Sequence, residues 1–390
     1  MSMIFMPTEI QYGEGSSKNI GEIFSQKEFR NILIVTDKGV VNAGLLNNIV
    51  SGLKQNKINF KLFDEVEPDP NIKCVVDAKE RYLMNDCDGI LAVGGGSAID
   101  TAKGMAVLVE NPGDLMKFAG ADNIPNELPF LVTVPTTCGT GSEVTNVTVI
   151  TNNDNFKTPF ISDYLIPDIA VLDPELLYTL PQGLVASTGM DALTHAIESY
   201  TNKTENWFSE IVGLKAIEDI SKYIRPATMA GDHYSLAKMQ YASTIAGISF
   251  KISRLGLVHA MSHPVSAIAK IPHGVANAIL LPYVMAYNLI GDPYSHSDVA
   301  KALGVKMSGS TVKIATEGVK EVVNLNSQLK IPNSFKELGM AEESISLMIE
   351  DTMKSGNVAI NSRKVNERDI QKIYELAYNG DSPLLISNLV

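Results

Sequence analysis

Six histidines occur in 390 residues, and four of them, His195, His259, His263 and His273, fall in one stretch of the second half. The run Gly189-Met190-Asp191-Ala192-Leu193-Thr194-His195 sets a carboxylate and an imidazole four positions apart. On a helix that puts them on one face, about 5–6 Å apart at Cβ, a spacing suited to gripping one divalent ion. His259-Ala260-Met261-Ser262-His263 repeats the interval, and His273 follows in Pro272-His273-Gly274. One acid and three imidazoles make a tetrahedral N/O set, and spacing alone leaves His259 and His263 equivalent. Without a thiolate in the set, both Fe²⁺ and Zn²⁺ remain open. A single histidine here reads equally well as a packed core or helix-surface side chain; four together in a histidine-poor chain favour a metal. His233 and His296, among Gly, Asp, Ser and Tyr, are expected in loops.

A second kind of chemistry belongs to Leu91-Ala92-Val93-Gly94-Gly95-Gly96-Ser97-Ala98-Ile99-Asp100, which runs from a buried strand through three glycines into a helix. Glycines let the backbone approach a ligand, and a helix N-terminus offers N–H groups and positive dipole to a pyrophosphate. The run lacks the G-x-G-x-x-G spacing and the Walker lysine, and a plain strand-to-helix turn is the competing reading. Pro135-Thr136-Thr137-Cys138-Gly139-Thr140-Gly141-Ser142-Glu143 is a second polar turn after a strand, and two such turns at neighbouring strand ends suit a nucleotide. Asp37, closing the run Ile-Leu-Ile-Val-Thr-Asp, could accept hydrogen bonds from an adenosine ribose and repel a 2′-phosphate, favouring NAD(H) over NADP(H).

These groups need two kinds of scaffold. Apolar runs at Ile32–Thr36, Phe60–Phe63, Gly89–Val93 and Phe130–Val134 alternate with helical-period segments at Gly44–Asn56 and Ile72–Leu83, the βαβ signature of a parallel sheet. After Pro181 the period is helical, as in Asn206–Ile224, Ser235–Ile252 and Thr311–Leu329. The expectation is an α/β unit built on a parallel sheet over 1–180 and a mostly helical unit over 181–390, closely packed around a cleft.

Composition narrows the function classes. Hydrophobic residues make up 45% and charged ones 19%, outside the disordered range. With 32 basic against 44 acidic residues the net charge is −12, and no basic patch argues for nucleic acid. The three cysteines, Cys74, Cys87 and Cys138, lack C-x-x-C spacing, the opening residues show no export leader, and Ala278–Tyr287 is too short to span a membrane. A cytoplasmic protein is expected.

Taken together, GGGSAIDTAKGMA, PTTCGTGSEVT, GMDALTHAIESYT and GLVHAMSHP with IPHGVANAILLPYVM strongly resemble the iron-containing (group III) alcohol dehydrogenase family, over essentially the whole chain. The resemblance implies a dehydroquinate synthase-like fold, an α/β Rossmann-like NAD(P)-binding domain over 1–180 and an all-α metal-binding and catalytic domain over 181–390, with a metal in the cleft held by Asp191, His195, His259 and His273. It places His263 beside the nicotinamide and substrate as a catalytic group. It assigns dinucleotide contacts to Asp37, Gly95, Gly96, Ser97, Asp100, Thr136, Thr137, Thr140, Thr145 and Lys157. It also implies a homodimer or higher homo-oligomer, one divalent ion, Fe²⁺ before Zn²⁺, and reversible hydride transfer between NAD(H) and a short-chain aldehyde or its primary alcohol. A zinc glycerol dehydrogenase-like or dehydroquinate synthase-like enzyme of the same fold is the alternative, and a metal-dependent hydrolase the non-redox one.

The chain departs from the family pattern in three places. Phe250-Lys251-Ile252-Ser253-Arg254-Leu255-Gly256 stands where F-N-N-A-S-L-G is usual, His263-Pro264-Val265-Ser266-Ala267-Ile268 replaces the usual H-P-L-G-G/A, and the usual N-P-R is absent around Pro383. The first departure suggests that Lys251 and Arg254 pair with an anionic substrate tail, a carboxylate, sulfonate or phosphonate. The competing reading makes them surface cations.

Overall fold

The computed structural model describes residues 4–154 and 156–389. The chain forms two compact units, one ending at Leu180 and the other beginning at Pro181. The first holds a six-stranded, all-parallel sheet made of β1 (Glu9–Tyr12), β2 (Asn31–Val35), β3 (Asn59–Phe63), β4 (Gly89–Gly94), β6 (Leu131–Pro135) and β9 (Ile169–Leu172), in the order β1-β9-β6-β4-β2-β3. A smaller sheet joins β5 (Gly120–Ala121), β7 (Val147–Thr151) and β8 (Lys157–Ile161).

The apolar runs of β2, β4 and β6 become strands because both of their faces are covered, whereas β3 is a half-exposed edge strand. Leu33, Val35, Ile90 and Ala92 pack with Val75 and Ala78 of α1 (Ile72–Met84) and with Ile99, Ala102 and Met105 of α2 (Gly96–Glu110). The alternate residues Ile32, Ile34, Leu91 and Val93 are fully buried as well. The order reverses between β2 and β4, and that switch point is where open α/β sheets form their crevice, outside the carboxyl ends of the strands. Asp37 follows β2, and Gly94 closes β4 with Gly95 and Gly96 just beyond, so the topology brings them to this one place.

No described residue after Leu172 lies in a strand. The second unit is built on α3 (Gln182–Thr201), α4 (Trp207–Ala230), α5 (His233–Ser253), α6 (Leu257–Ala269) and α7 (His273–Asn288), followed by further helices from Pro293 to Asn379. His233 and His296 lie in helices and not in loops, a correction to the sequence reading. The polar residues beside them are helix starts: Asp232 caps the Ser235 N–H, and Asp292 caps the Ser295 N–H with Pro293 in the first turn. No described helix is long and apolar enough to cross a membrane.

Candidate functional site

In the helical unit, α3 carries Asp191, His195 and Glu198 on one face, because four and three residues each advance about one turn. Helix α6 brings His259 to this face, and α7 brings His273 and Asn277. Asp191 Oδ1 lies 3.9 Å from His195 Nε2, 3.7 Å from His259 Nε2 and 3.8 Å from His273 Nε2. Asp191, His195 and His259 are buried, and their ligand atoms all lie within 4.8 Å of one another, a group able to hold a metal ion. His273 is more open, with 27% of its side chain exposed. Four atoms bound to one ion at about 2.0–2.2 Å would be about 3.3–3.6 Å apart, so the observed spacing needs only a small closure. The rings of His195 and His259 stack at 4.7 Å, and Phe250 packs 4.5 Å from His195.

Asn277 reports on what the centre accepts. Its Nδ2 donates to Asp191 Oδ1 at 2.6 Å and lies 3.2 Å from the Nε2 atoms of His259 and His273, while its Oδ1 is buried with no hydrogen-bond partner among the described residues. An orphaned oxygen beside converging carboxylate and imidazole lone pairs fits a cation. The titrations agree. Burial opposes ionisation of Asp191, yet the surrounding imidazoles of His195, His259 and His273 hold its carboxyl well below the usual range. Burial likewise opposes charge on His259, but the carboxylates of Asp191 and Glu198 outweigh it and push the imidazole up to about 9.

His263 stands outside the buried trio. It is half-buried, with its ring centroid 5.2 Å from that of His273 and 6.1 Å from that of His259. Lys251 and Arg254 occupy the carboxyl end of α5, just past Phe250. Lys251 is half-buried and Arg254 exposed. Arg254 has φ 66° and ψ −172°, a conformation that disfavours any side chain, and Asn202 Nδ2 clamps this corner by donating to the Ser253 and Arg254 carbonyls.

In the α/β unit the two polar turns touch. A Cβ on Gly96 would come 2.8 Å from Thr140 Cγ2, and one on Gly95 would come 3.3 Å from Thr137 Cγ2, so glycine is what lets the helix start lie against the second turn. The Thr136 N–H donates to the Gly94 carbonyl at 3.0 Å, and Thr36 Oγ1 donates to the Val93 carbonyl at 2.7 Å, tying the ends of β2, β4 and β6 together. Asp37 caps a short helix by accepting from the Val40 N–H with Oδ1, and its Oδ2 faces the Gly94 turn. Gly95 and Gly96 thus lie against Thr137 and Thr140, Ser97 follows in the first turn of α2, and Thr136 and Asp37 both adjoin Gly94.

Asp100, Thr145 and Lys157 are engaged within the protein. Asp100 accepts from Ser142 Oγ at 3.1 Å and from the Val149 N–H at 3.4 Å, and burial raises its carboxyl to about 6. Lys157 Nζ donates to Asp69 Oδ1 at 2.6 Å. Thr145 is buried beside Lys103, a fully buried lysine whose Nζ donates to the carbonyls of Ser142, Thr145 and Val147 at 2.8, 2.8 and 2.9 Å.

Residues 7–174 match the iron-containing alcohol dehydrogenase family, and residues 185–378 match its C-terminal domain. The chain belongs to the iron-containing alcohol dehydrogenase family. It is 37% identical to the 1,3-propanediol dehydrogenase of Klebsiella pneumoniae over 94% of this chain and 96% of that one. To the NAD-dependent methanol dehydrogenase of Bacillus methanolicus it is 32% identical over 97% of this chain and 100% of the relative. The solved alcohol dehydrogenase from Oenococcus oeni superposes with a TM-score of 0.94 at 36% identity, covering 97% of this chain and all of that one. This alcohol dehydrogenase is therefore a metal-dependent, nicotinamide-dependent oxidoreductase.

Sequence reasoning missed three residues that shape these sites. Glu198 had a signal: it follows Asp191 by seven positions and His195 by three, on the same helix face. Asn277, four residues after His273, had the same kind of signal. Lys103 had none, because a lysine on a helix reads as solvated until its partners far along the chain are known.

Proposed function

We propose that Asp191, His195, His259 and His273 hold one divalent ion, iron or zinc, and that the chain interconverts a short-chain aldehyde and its primary alcohol with NAD(H). The observation that carries this reading is the convergence of one buried carboxylate oxygen and three imidazole nitrogens contributed by three helices. An ion held by these four residues would supply Lewis acidity toward a carbonyl oxygen. Asp191 balances the charge of that ion, and the buried setting of His195 and His259 keeps water away from it. His263, half-buried beside His273, moves a proton between the nascent alkoxide and solvent through its imidazole nitrogen.

The dinucleotide diphosphate lies on the turn of Gly95, Gly96 and Ser97 at the start of α2, with Thr136, Thr137 and Thr140 beside it. Asp37 favours NAD(H) over NADP(H), as its Oδ2 faces the Gly94 turn. Asp100, Thr145 and Lys157 support that turn from within the protein. Lys251 and Arg254 receive an anionic substrate tail. The exposed Arg254 supports this part, since strained backbone conformations cluster at functional sites. A homodimer accords with β1, an edge strand that pairs only with β9 among the described residues. A cytoplasmic setting accords with three buried cysteines, none in a disulfide.

The test is to strip the protein of metal, reload it with Fe²⁺ or Zn²⁺, and follow NADH oxidation with short neutral and anionic aldehydes. Activity restored by metal supports the reading, and equal activity in fully stripped protein overturns it. Arg254→Ala should weaken kcat/KM for anionic aldehydes about tenfold or more and leave neutral ones unchanged. An unchanged kcat/KM for every anionic aldehyde removes the tail-binding role.

A further inference from the structure

Glu198 makes two short contacts that no ligand reading uses. Its side chain is buried at the third position after His195. Oε2 lies 2.6 Å from His259 Nδ1, and Oε1 accepts the Val258 N–H at 2.5 Å. Gly256 makes room for this approach, since a Cβ there would fall 2.9 Å from Oε1. The opposite nitrogen of the same ring, His259 Nε2, is the one that faces Asp191 Oδ1.

We propose that Glu198 is a positioning residue of the metal centre, which fixes the proton of His259 on Nδ1 and pins the first turn of α6, so that the Nε2 lone pair is presented to the ion. The inference rests on the reading of Asp191, His195, His259 and His273 as ligands. The physical argument is one of donors and acceptors. A carboxylate only accepts, so the imidazole nitrogen facing it must carry hydrogen, and in a neutral ring that leaves the lone pair on the other nitrogen. The second oxygen holds the backbone N–H immediately before His259, so ring orientation and helix start are set by one rigid group. A carboxylate that accepts from a ligating histidine raises its basicity and restricts its rotation, and loss of such a partner weakens metal binding about 10–100-fold.

Glutamine is the discriminating substitution because it keeps the shape of Glu198. Its amide can accept from only one of the two donors, and its NH₂ then opposes the other. Zn²⁺ affinity is measured by chelator competition on the full-length chain, beside the thermal midpoint of the metal-free protein. Glu198→Gln is expected to bind Zn²⁺ about 10–100-fold more weakly, beyond any fall in the midpoint from the opposed buried donor. A merely structural role would move the midpoint and leave the affinity alone.

Zn²⁺ affinity of Glu198→Gln within about twofold of the unsubstituted chain overturns the proposal, provided Asp191→Ala loses the metal. If Asp191→Ala also keeps it, the ligand reading is what has failed. A second measurement needs no variant: the ¹⁵N shifts of His259 in the zinc-loaded, unsubstituted protein should show hydrogen on Nδ1 and zinc on Nε2, and the opposite pattern overturns the proposal.

Discussion

In the helical unit, the buried polar side chains Asp191, His195 and His259 bring their ligand atoms within 4.8 Å of one another, and Asn277 Oδ1 is left unsatisfied among the described residues. In the α/β unit, Lys103 and Lys157 are buried too, yet each already holds protein oxygens, as Asp100 holds protein donors. What that unit leaves to a ligand is the backbone at Gly95 and Gly96 with the threonines beside it. On the proposed reading, the first region would bind through side chains and the second through main chain, with its charged side chains serving as scaffold. The difference follows from the ligands: a small divalent ion takes lone pairs from acid and imidazole, whereas an extended pyrophosphate is met by N–H groups and a helix dipole.

The largest effects should come from the side-chain region. Asp191→Ala is expected to lose bound metal and slow turnover by more than about a thousandfold. His263→Ala should retain metal while kcat falls about 10²–10⁴-fold. Elemental analysis beside NADH oxidation reads both, and a His263→Ala protein stripped of metal would break the distinction between the buried trio and His263.

The scaffold role of Lys103 predicts a stability effect with no metal effect. Lys103→Met leaves the carbonyls of Ser142, Thr145 and Val147 without their donor and should lower stability by about 2–4 kcal/mol. Urea unfolding checks this, and metal content should be unchanged. A fully stable variant would show that the loop holds itself.

The backbone region is probed by Gly96→Ala, whose Cβ meets Thr140. Nucleotide affinity, read by quenching or transfer of NADH fluorescence, should weaken by about tenfold, roughly 1.4 kcal/mol, with zinc affinity untouched. Unaltered NADH binding would move the diphosphate away from this turn.

The smallest effect is a pH response that differs between the regions. Asp100 titrates at about 6 in the fold against 3.8 for the ordinary carboxyl, so its contribution is present below about pH 4 and lost as pH rises through 6. In metal-free protein the contribution of His259 is present below about pH 6.5 and lost as pH rises through about 9. Urea midpoints of Asp100→Asn against the unsubstituted chain should therefore differ in slope between pH 4 and 6 and run parallel from 7 to 9. Parallel curves throughout would remove the burial argument for Asp100.

Much of this was legible along the chain. Strands β2, β4 and β6 announced themselves as apolar runs because strands covered on both faces carry few polar residues, while β3, half-exposed at the sheet edge, was read from Phe60–Phe63. β1, with Glu9 and Gln11, sits at an edge and lacks that pattern, while β7 and β8 belong to a small half-covered sheet; none of these read as strands. Among site residues, Asp191 and His195 were visible as a helical pair. Glu198 extends the same face but passed unnoticed, since an acid on a helix usually meets water.

Spacing on one helix is a local property, set by a period of about 3.6 residues, and so the order of amino acids alone decided that Asp191 and His195 share a face, and that His259 and His263 do. Which of those two histidines turns toward Asp191 was decided only when α6 packed against α3, far earlier in the chain: His259 Nε2 came within 3.7 Å of the carboxylate, and His263 remained half-buried outside the trio. The same holds for Lys103, whose burial depends on a loop some forty residues away. Local periodicity names the candidates, and desolvation by distant packing chooses among them, because burial strengthens each polar contact and penalises any group left unpaired.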